Sequence, residues 1–279
     1  MAAGAGRADN GGMKELPPAR PADPRAPRAA TAAQPASVED HYADLLAPVY
    51  SWMVGDLAAA FASSRDTLVG AGVSRVDGAL AVDLGAGFGL HSIPLAELGH
   101  EVLAIDSSPA LLAELQRLRP AGTPIRTVHD DLCNFRAHLS GPCAAIVCLG
   151  DTLTHLRARE EVERLLVDAA AALAPGGRVV LGFRDYCCDT REGAARFIPV
   201  RGDDTRLLTC FLEYQPAHVV VHDLLHERRE SSWRLRVSAY RKLRLDPAWV
   251  AARLAATGLE VRDPSTVAGM VTLVARRRG

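Results

Sequence analysis

Between Ala79 and Gly99 the chain runs from apolar strand-like residues through glycines into an amphipathic stretch. The run 79–84 is too short for a helix and reads as a buried strand. Gly85-Ala86-Gly87-Phe88-Gly89 is a turn, and Leu90, Ile93, Leu95 and Leu98 then recur at helical spacing up to Gly99, which can end a helix. The same alternation continues downstream. Strands are predicted at 101–106, 125–131, 144–150 and 178–183. Helices are predicted at 109–118, capped by Ser107 or Ser108, and at 160–174, closed by Pro175-Gly176-Gly177. Strands alternating with helices imply an α/β fold, a doubly wound, Rossmann-like parallel sheet.

The pattern changes on either side of this block. Past Tyr186, residues 207–214, 218–226 and 233–245 alternate and are rich in β-branched and aromatic residues, which predicts an antiparallel insertion spanning 187–245. Trp233, Leu235 and Val237 share one of its faces, Arg234, Arg236 and Ser238 the other. A helix at 247–257 follows, capped by Asp246 and ended by Gly258, then strands near 259–262 and 271–275. Before the first strand, Ser37 and Asp40 form an approximate capping box that opens a helical segment over 38–78, including a helix at 57–70. Its Tyr42 and Tyr50 suit a lid over a ligand. Residues 1–37 are Ala, Gly, Pro and Arg with hardly any large apolar side chains, and are expected to be a disordered leader. The chain thus divides into a leader (1–37), a helical lid (38–78) and a ligand-binding domain (79–279).

Composition narrows the classes of function. A hydrophobic content of 48% supports a core, and a formal charge of −1 disfavours general affinity for nucleic acid or an anionic membrane. No apolar run approaches a membrane span of about 20 residues. The six cysteines form no C-x-x-C pair, so no metal site is indicated, and free thiols in a reducing cytoplasm are the expected setting.

The chemistry gathers where the strands end. In a parallel sheet, ligands bind beyond the carboxyl ends of the strands, and Asp106, Asp131, Asp151 and Arg184 all fall there. The turn is G-x-G-x-G, one residue shorter than the dinucleotide fingerprint G-x-G-x-x-G, which disfavours a nicotinamide dehydrogenase. Asp106, 17 residues past Gly89, is placed to accept both hydroxyls of a ribose.

Asp83-x-Gly85-x-Gly87-x-Gly89 resembles the first motif of class I S-adenosylmethionine (SAM) methyltransferases. Within that family two further stretches resemble the glycine N-methyltransferase-like group. Val147-Cys148-Leu149-Gly150-Asp151-Thr152-Leu153-Thr154-His155-Leu156 is similar to its V-C-L-G-N-S-x-x-H-L, and Phe183-Arg184-Asp185-Tyr186 to its H-R-N-Y. Asp151 and Asp185 replace the group's asparagines. The resemblance implies a seven-stranded sheet with the last strand antiparallel, and SAM as cofactor. It implies that Gly85 and Gly87 approach the methionyl part of SAM over a turn supported by Asp83. Asp106 would hold the ribose, Asp131 and the Leu132 N–H the adenine, with Asp130 competing for that role. Gly150 and His155 would line the methionyl side. Arg184 would pair with a carboxylate of the methyl acceptor.

The activity this implies is methyl transfer to the nitrogen of a small amino acid or amine. Asp151 and His155 are candidates to orient or deprotonate it, and Tyr42, Tyr50 and Tyr186 to position it. Transfer to oxygen, sulfur or a metalloid is the alternative, for which Cys187, Cys188 and Cys210 are placed. A SAM-binding protein without catalysis is a reading of a different class. Methylation of nucleic acid is disfavoured by Gly150-Asp151-Thr152-Leu153, which lacks an Asn-Pro-Pro-Tyr type of string. The expected partner is a small-molecule acceptor, with neither nucleic acid nor membrane, and with homo-oligomerisation left open.

Overall fold

The computed structural model describes residues 35–188 and 190–279. The expected leader lies outside these residues except for its last three. Of those, Ala36 already donates its N–H to the Ala239 carbonyl (2.7 Å), and Ser37 caps the first helix. Ordered pairing therefore reaches further back than Val38.

The elements in chain order are α1 (Val38–His41), α2 (Tyr50–Val54), α3 (Leu57–Gly70), β1 (Leu80–Leu84), α4 (Ser92–Glu97), β2 (Glu101–Asp106), α5 (Pro109–Leu118), β3 (Ile125–His129), β4 (Cys143–Cys148), α6 (Arg159–Ala172) and β5 (Leu173–Arg184). Then come β6 (Phe197–Gly202), β7 (Arg206–Tyr214), β8 (His218–Arg229), β9 (Ser232–Leu243), α7 (Pro247–Ala256), β10 (Glu260–Val261), β11 (Ser265–Val267) and β12 (Met270–Arg276).

The central sheet has the order β10-β12-β5-β4-β1-β2-β3, with β11 folded back onto β12. β1 to β5 are parallel, and β12 runs against β5 and β10. The fold class is as expected, with β11 one strand more than the seven. Helices cover both faces: Leu165 of α6 and Val250 of α7 are buried on one, Leu68 of α3, Ile93 of α4 and Leu115 of α5 on the other. Each such side chain contributes about 1.5–3 kcal/mol by leaving water. Strand order reverses between β1 and β4, so the turns after these two strands open a crevice at their carboxyl ends.

Three local expectations are corrected. The helix after the glycine turn begins at Ser92, not Leu90, because Gly87 and Gly89 hold φ of +54° and +93°. The Pro175-Gly176-Gly177 run does not merely end a helix. It is absorbed into β5, whose pairing with β4 jumps from Cys143↔Leu173 to Ala145↔Arg178. The insertion has a fourth strand, β6, giving an antiparallel sheet of order β6-β7-β8-β9.

The residues between α1 and α2 wind as a π-turn, Tyr42–Leu46, then a 3₁₀ turn, Ala47–Val49. Leu45, Leu46 and Val49 of this segment pack on Leu208 and Leu225, on the inner face of the insertion sheet. The buried His41 pins the same segment: its Nε2 meets Asp223 Oδ2 at 2.9 Å, its Nδ1 meets Ser238 Oγ at 2.8 Å, and its ring stacks 4.0 Å from that of Tyr240.

Candidate functional site

The turn after β1 is shaped by its glycines. The N–H groups of Gly85 and Ala86 both donate to the Ile105 carbonyl (2.9 Å), which ties the turn to the end of β2. Gly85 has φ of +75°, and a Cβ there would run into the Thr152 side chain, which follows β4. A Gly85→Ala change therefore meets both an unfavourable backbone region and a clash. It is expected to cost about 2–4 kcal/mol in chemical denaturation. Adding Thr152→Ala, which removes the opposing methyl, should recover part of that loss.

Asp106, at the end of β2, faces this turn. Its Oδ2 accepts from the Gly87 N–H and its Oδ1 from the Ser108 N–H, both at 2.7 Å. Burial pushes its carboxyl up, and the two N–H donors oppose that. Gly85, Gly87, Asp106, Asp131, Leu132 and His155 all line one cavity of about 100 Å³, closed on the lid side by Tyr42 and Tyr50. Asp130 is turned elsewhere, to Asn134 Nδ2 (2.9 Å) and His138 Nε2 (2.7 Å). Asp83 is not among the lining residues. It is fully buried beneath the turn, where its Oδ2 accepts from Ser92 Oγ (2.6 Å) and its Oδ1 meets no partner. Burial pushes its carboxyl up to about 7, against the Ser92 hydrogen bonds that favour the charged form.

A second cavity of about 250 Å³ shares Tyr42 and Tyr50 with the first. Gly150 lines this one rather than the first, together with Arg184, Tyr186 and Lys242. Between the two lies a buried cluster around Asp151, which holds φ of +76°. Asp151 Oδ1 accepts from the Arg184 N–H (2.9 Å) and Thr154 Oγ1 (3.0 Å). Its Oδ2 accepts from Tyr186 Oη (3.1 Å) and Lys242 Nζ (2.6 Å). Burial alone would raise this carboxyl. The Lys242 ammonium, with the Arg184 N–H, overrides it and holds the group below the usual carboxylate range. With both oxygens engaged, Asp151 fits the part of a fixed anchor better than that of a base.

His155 sits among aromatic rings, 5.7 Å from Tyr42 and 5.6 Å from Tyr240, centroid to centroid. Its Nε2 is buried without a partner. Burial, then the nearby Lys242 charge, lowers its imidazole to about 3. At neutral pH the ring is uncharged and too weak a base to deprotonate an ammonium group. Tyr186 is likewise committed, since its hydroxyl donates to Asp151 and burial raises its pKa. The Arg184 side chain is exposed at the mouth of the second cavity. Of the cysteines considered, Cys210 lines that cavity, while the N–H groups of Cys187 and Cys188 donate to Asp185 Oδ1.

Sequence reasoning missed Lys242, Tyr240 and the His41–Asp223 pair. The signal for Lys242 was its parity: it shares a face of β9 with Ser238 and Tyr240, so a lysine pointed inward.

The first cavity brings together a glycine turn with no room for a Cβ at Gly85, a half-buried carboxylate at a strand end and a buried imidazole nitrogen without a partner. Residues 81–177 match the family model described as a methyltransferase domain. A glycine/sarcosine N-methyltransferase of Aphanothece halophytica is 31% identical over 113 residues, which are 40% of this chain and 43% of the relative. The chain thus spans under half the length of the curated relatives it matches. Among solved structures, the CcbJ methyltransferase of Streptomyces caelestis superposes with a TM-score of 0.70 at 21% identity, covering 86% of this chain and 99% of that one. SAM-bound CalS10, an amino pentose methyltransferase of Micromonospora echinaspora, gives 0.66 at 21%, covering 82% and 95%. Residues 81–177 thus match a methyltransferase domain, on a fold that the chain shares with these solved methyltransferases.

Proposed function

We propose that this chain transfers a methyl group from SAM to the nitrogen of a small-molecule amine bound in the second cavity. The observation that carries the reading is the adjacency of the two cavities across a shared wall of Tyr42 and Tyr50. When bound, SAM supplies the activated methyl group and the sulfur leaving group. Gly85, Gly87, Asp106, Asp131 and Leu132 would hold it. The remaining work belongs to this chain's own side chains. The lid tyrosines exclude water, and the rigid Asp151–Lys242 cluster fixes the wall along which the amine lies. None of the cluster's members is a competent base near neutral pH, so the amine must enter neutral. Burial and the Lys242 charge both favour that form. The kcat/KM should therefore rise with pH towards the acceptor's own amine pKa.

The relative named for glycine and sarcosine supports nitrogen as the acceptor atom. The cavity argues for a body larger than glycine. Glycine has no side chain to set against an apolar wall. Here about 250 Å³ is lined in part by Leu46, Met53, Leu212 and Val221. Arg184 at the mouth suits a carboxylate on that body. A cytoplasmic setting belongs to the same reading.

The test is transfer of an isotopically labelled methyl group from SAM to pooled amino acids, amines, carboxylic acids, thiols and arsenite, read by mass spectrometry. Labelling is expected on an amine bulkier than glycine. A labelled thiol or arsenical would overturn the nitrogen assignment, and preference for glycine or sarcosine would overturn the size argument.

A further inference from the structure

We propose that the outer face of the β6–β9 sheet docks a second copy of this chain. The inner face of the sheet is covered by the lid segment and walls the second cavity. The outer face follows from the register, which aligns Ala239–His222–Phe211–Phe197, Val237–Leu224–Thr209–Pro199 and Leu235–His226–Leu207 across the strands. Partners in register project to the same side. This side is apolar and open to solvent: Phe197 is 53% exposed, Leu207 41%, Trp233 52%, Leu235 49% and Val237 56%. Half of the ten exposed large hydrophobic residues among the described residues thus lie on one face of one sheet.

Size and shape favour a copy of the chain as the occupant. Four strands about 4.8 Å apart, over some seven residues each, make a plane of roughly 19 by 24 Å. The five open side chains alone present on the order of 500 Å², near the upper limit for a monomer's largest apolar patch. The half-buried Phe211, Leu224 and Ala239 extend it towards the roughly 800 Å² per partner of a stable dimer. An antiparallel face of aromatic and branched residues is complementary to itself when two sheets stack at about 30°. Charged groups of this face lie towards its margins: Arg228 at the hairpin end, Glu213 and Arg241 at the other, the Glu213 carboxylate paired with His222 (3.2 Å), and Arg196 stacked over the Phe211 ring (4.9 Å) beside the β6 edge. Residues 1–34 are a poor alternative cover, since Met1, Met13 and Leu16 are their only large apolar residues.

The experiment is sedimentation equilibrium of the full chain up to about 50 µM. A mass twice the subunit's 29.7 kDa is expected. Trp233→Asp with Val237→Asp should return it to one subunit mass with an unchanged far-ultraviolet spectrum. Val167→Asp, at an equally exposed residue of α6, should leave the doubled mass intact. As a readout that needs no destabilising change, benzoylphenylalanine in place of Leu235 should photo-cross-link to residues 197–239 of a second copy. A monomer at about 50 µM, a doubled mass that survives the double aspartate variant, or cross-links to another surface would overturn the proposal. So would a monomer that instead sediments with lipid vesicles.

Discussion

Replacing Lys242 by methionine is expected to cost about 3–5 kcal/mol of folding stability in urea denaturation. The change removes the counter-charge from Asp151, whose side chain is 5% exposed and 2.6 Å from Nζ. Stranding one member of a buried pair is far costlier than removing both, so Lys242→Met with Asp151→Asn should recover much of the loss. The pH dependence separates this account from a simple packing defect. In the native protein Asp151 titrates below its usual range, so its contribution is present above about pH 4 and fades as pH falls through the depressed value. Without Lys242, burial is the dominant influence and pushes the carboxyl up. The variant then binds a proton more readily folded than unfolded, and its stability falls as pH rises. The deficit relative to the native protein should be larger at pH 8 than at pH 5. A deficit independent of pH would contradict the assignment.

Changing Asp106 to alanine is expected to weaken binding of S-adenosylhomocysteine by about 100-fold, or about 2.7 kcal/mol, in calorimetric titration. Two contributions add. The ribose hydroxyls lose a charged acceptor, and the Gly87 and Ser108 N–H groups lose the oxygens that hold the turn in place. Asp106→Asn retains one acceptor oxygen and should fall in between. A Kd within about threefold of the native protein would remove Asp106 from the binding site.

Why some of this was legible in the sequence and some not follows from the range of each interaction. The glycine turn, Asp106, Asp131 and the helix α3 are local features. A positive φ, a strand end or a run of helix formers is decided within a few residues, and these positions fall where their spacing implies. The Asp151–Lys242 pair joins residues 91 apart in sequence. Nothing near Asp151 says whether its carboxylate is free or locked, and of its two candidate roles, orienting or deprotonating the acceptor, that contact favours the first. His155 is similar: its identity fits a base, but burial and the nearby Lys242 charge set its basicity. The strand β6 was hidden by Pro199, a residue that usually interrupts a sheet. It is tolerated because β6 is an edge strand, with a register shift between Pro199 and Arg201. The β5 bulge was missed for the opposite reason. Pro175-Gly176-Gly177 has the composition of a helix stop, while the strand's continuation depends on pairing with Cys143, 30 residues earlier.

The position of Tyr42 and Tyr50 has a kinetic consequence. Both side chains belong to one short segment, and that segment is a wall of both cavities. It is fastened to the insertion sheet through His41, Asp223 and Ser238. Swinging it aside to admit or release the occupant of one cavity uncovers the other in the same movement. The two compartments therefore have a common door. Exchange of the spent cofactor and of the methylated product would then be a single gated event, which needs both the His41–Asp223 contact and the packing of Leu45, Leu46 and Val49 to give way.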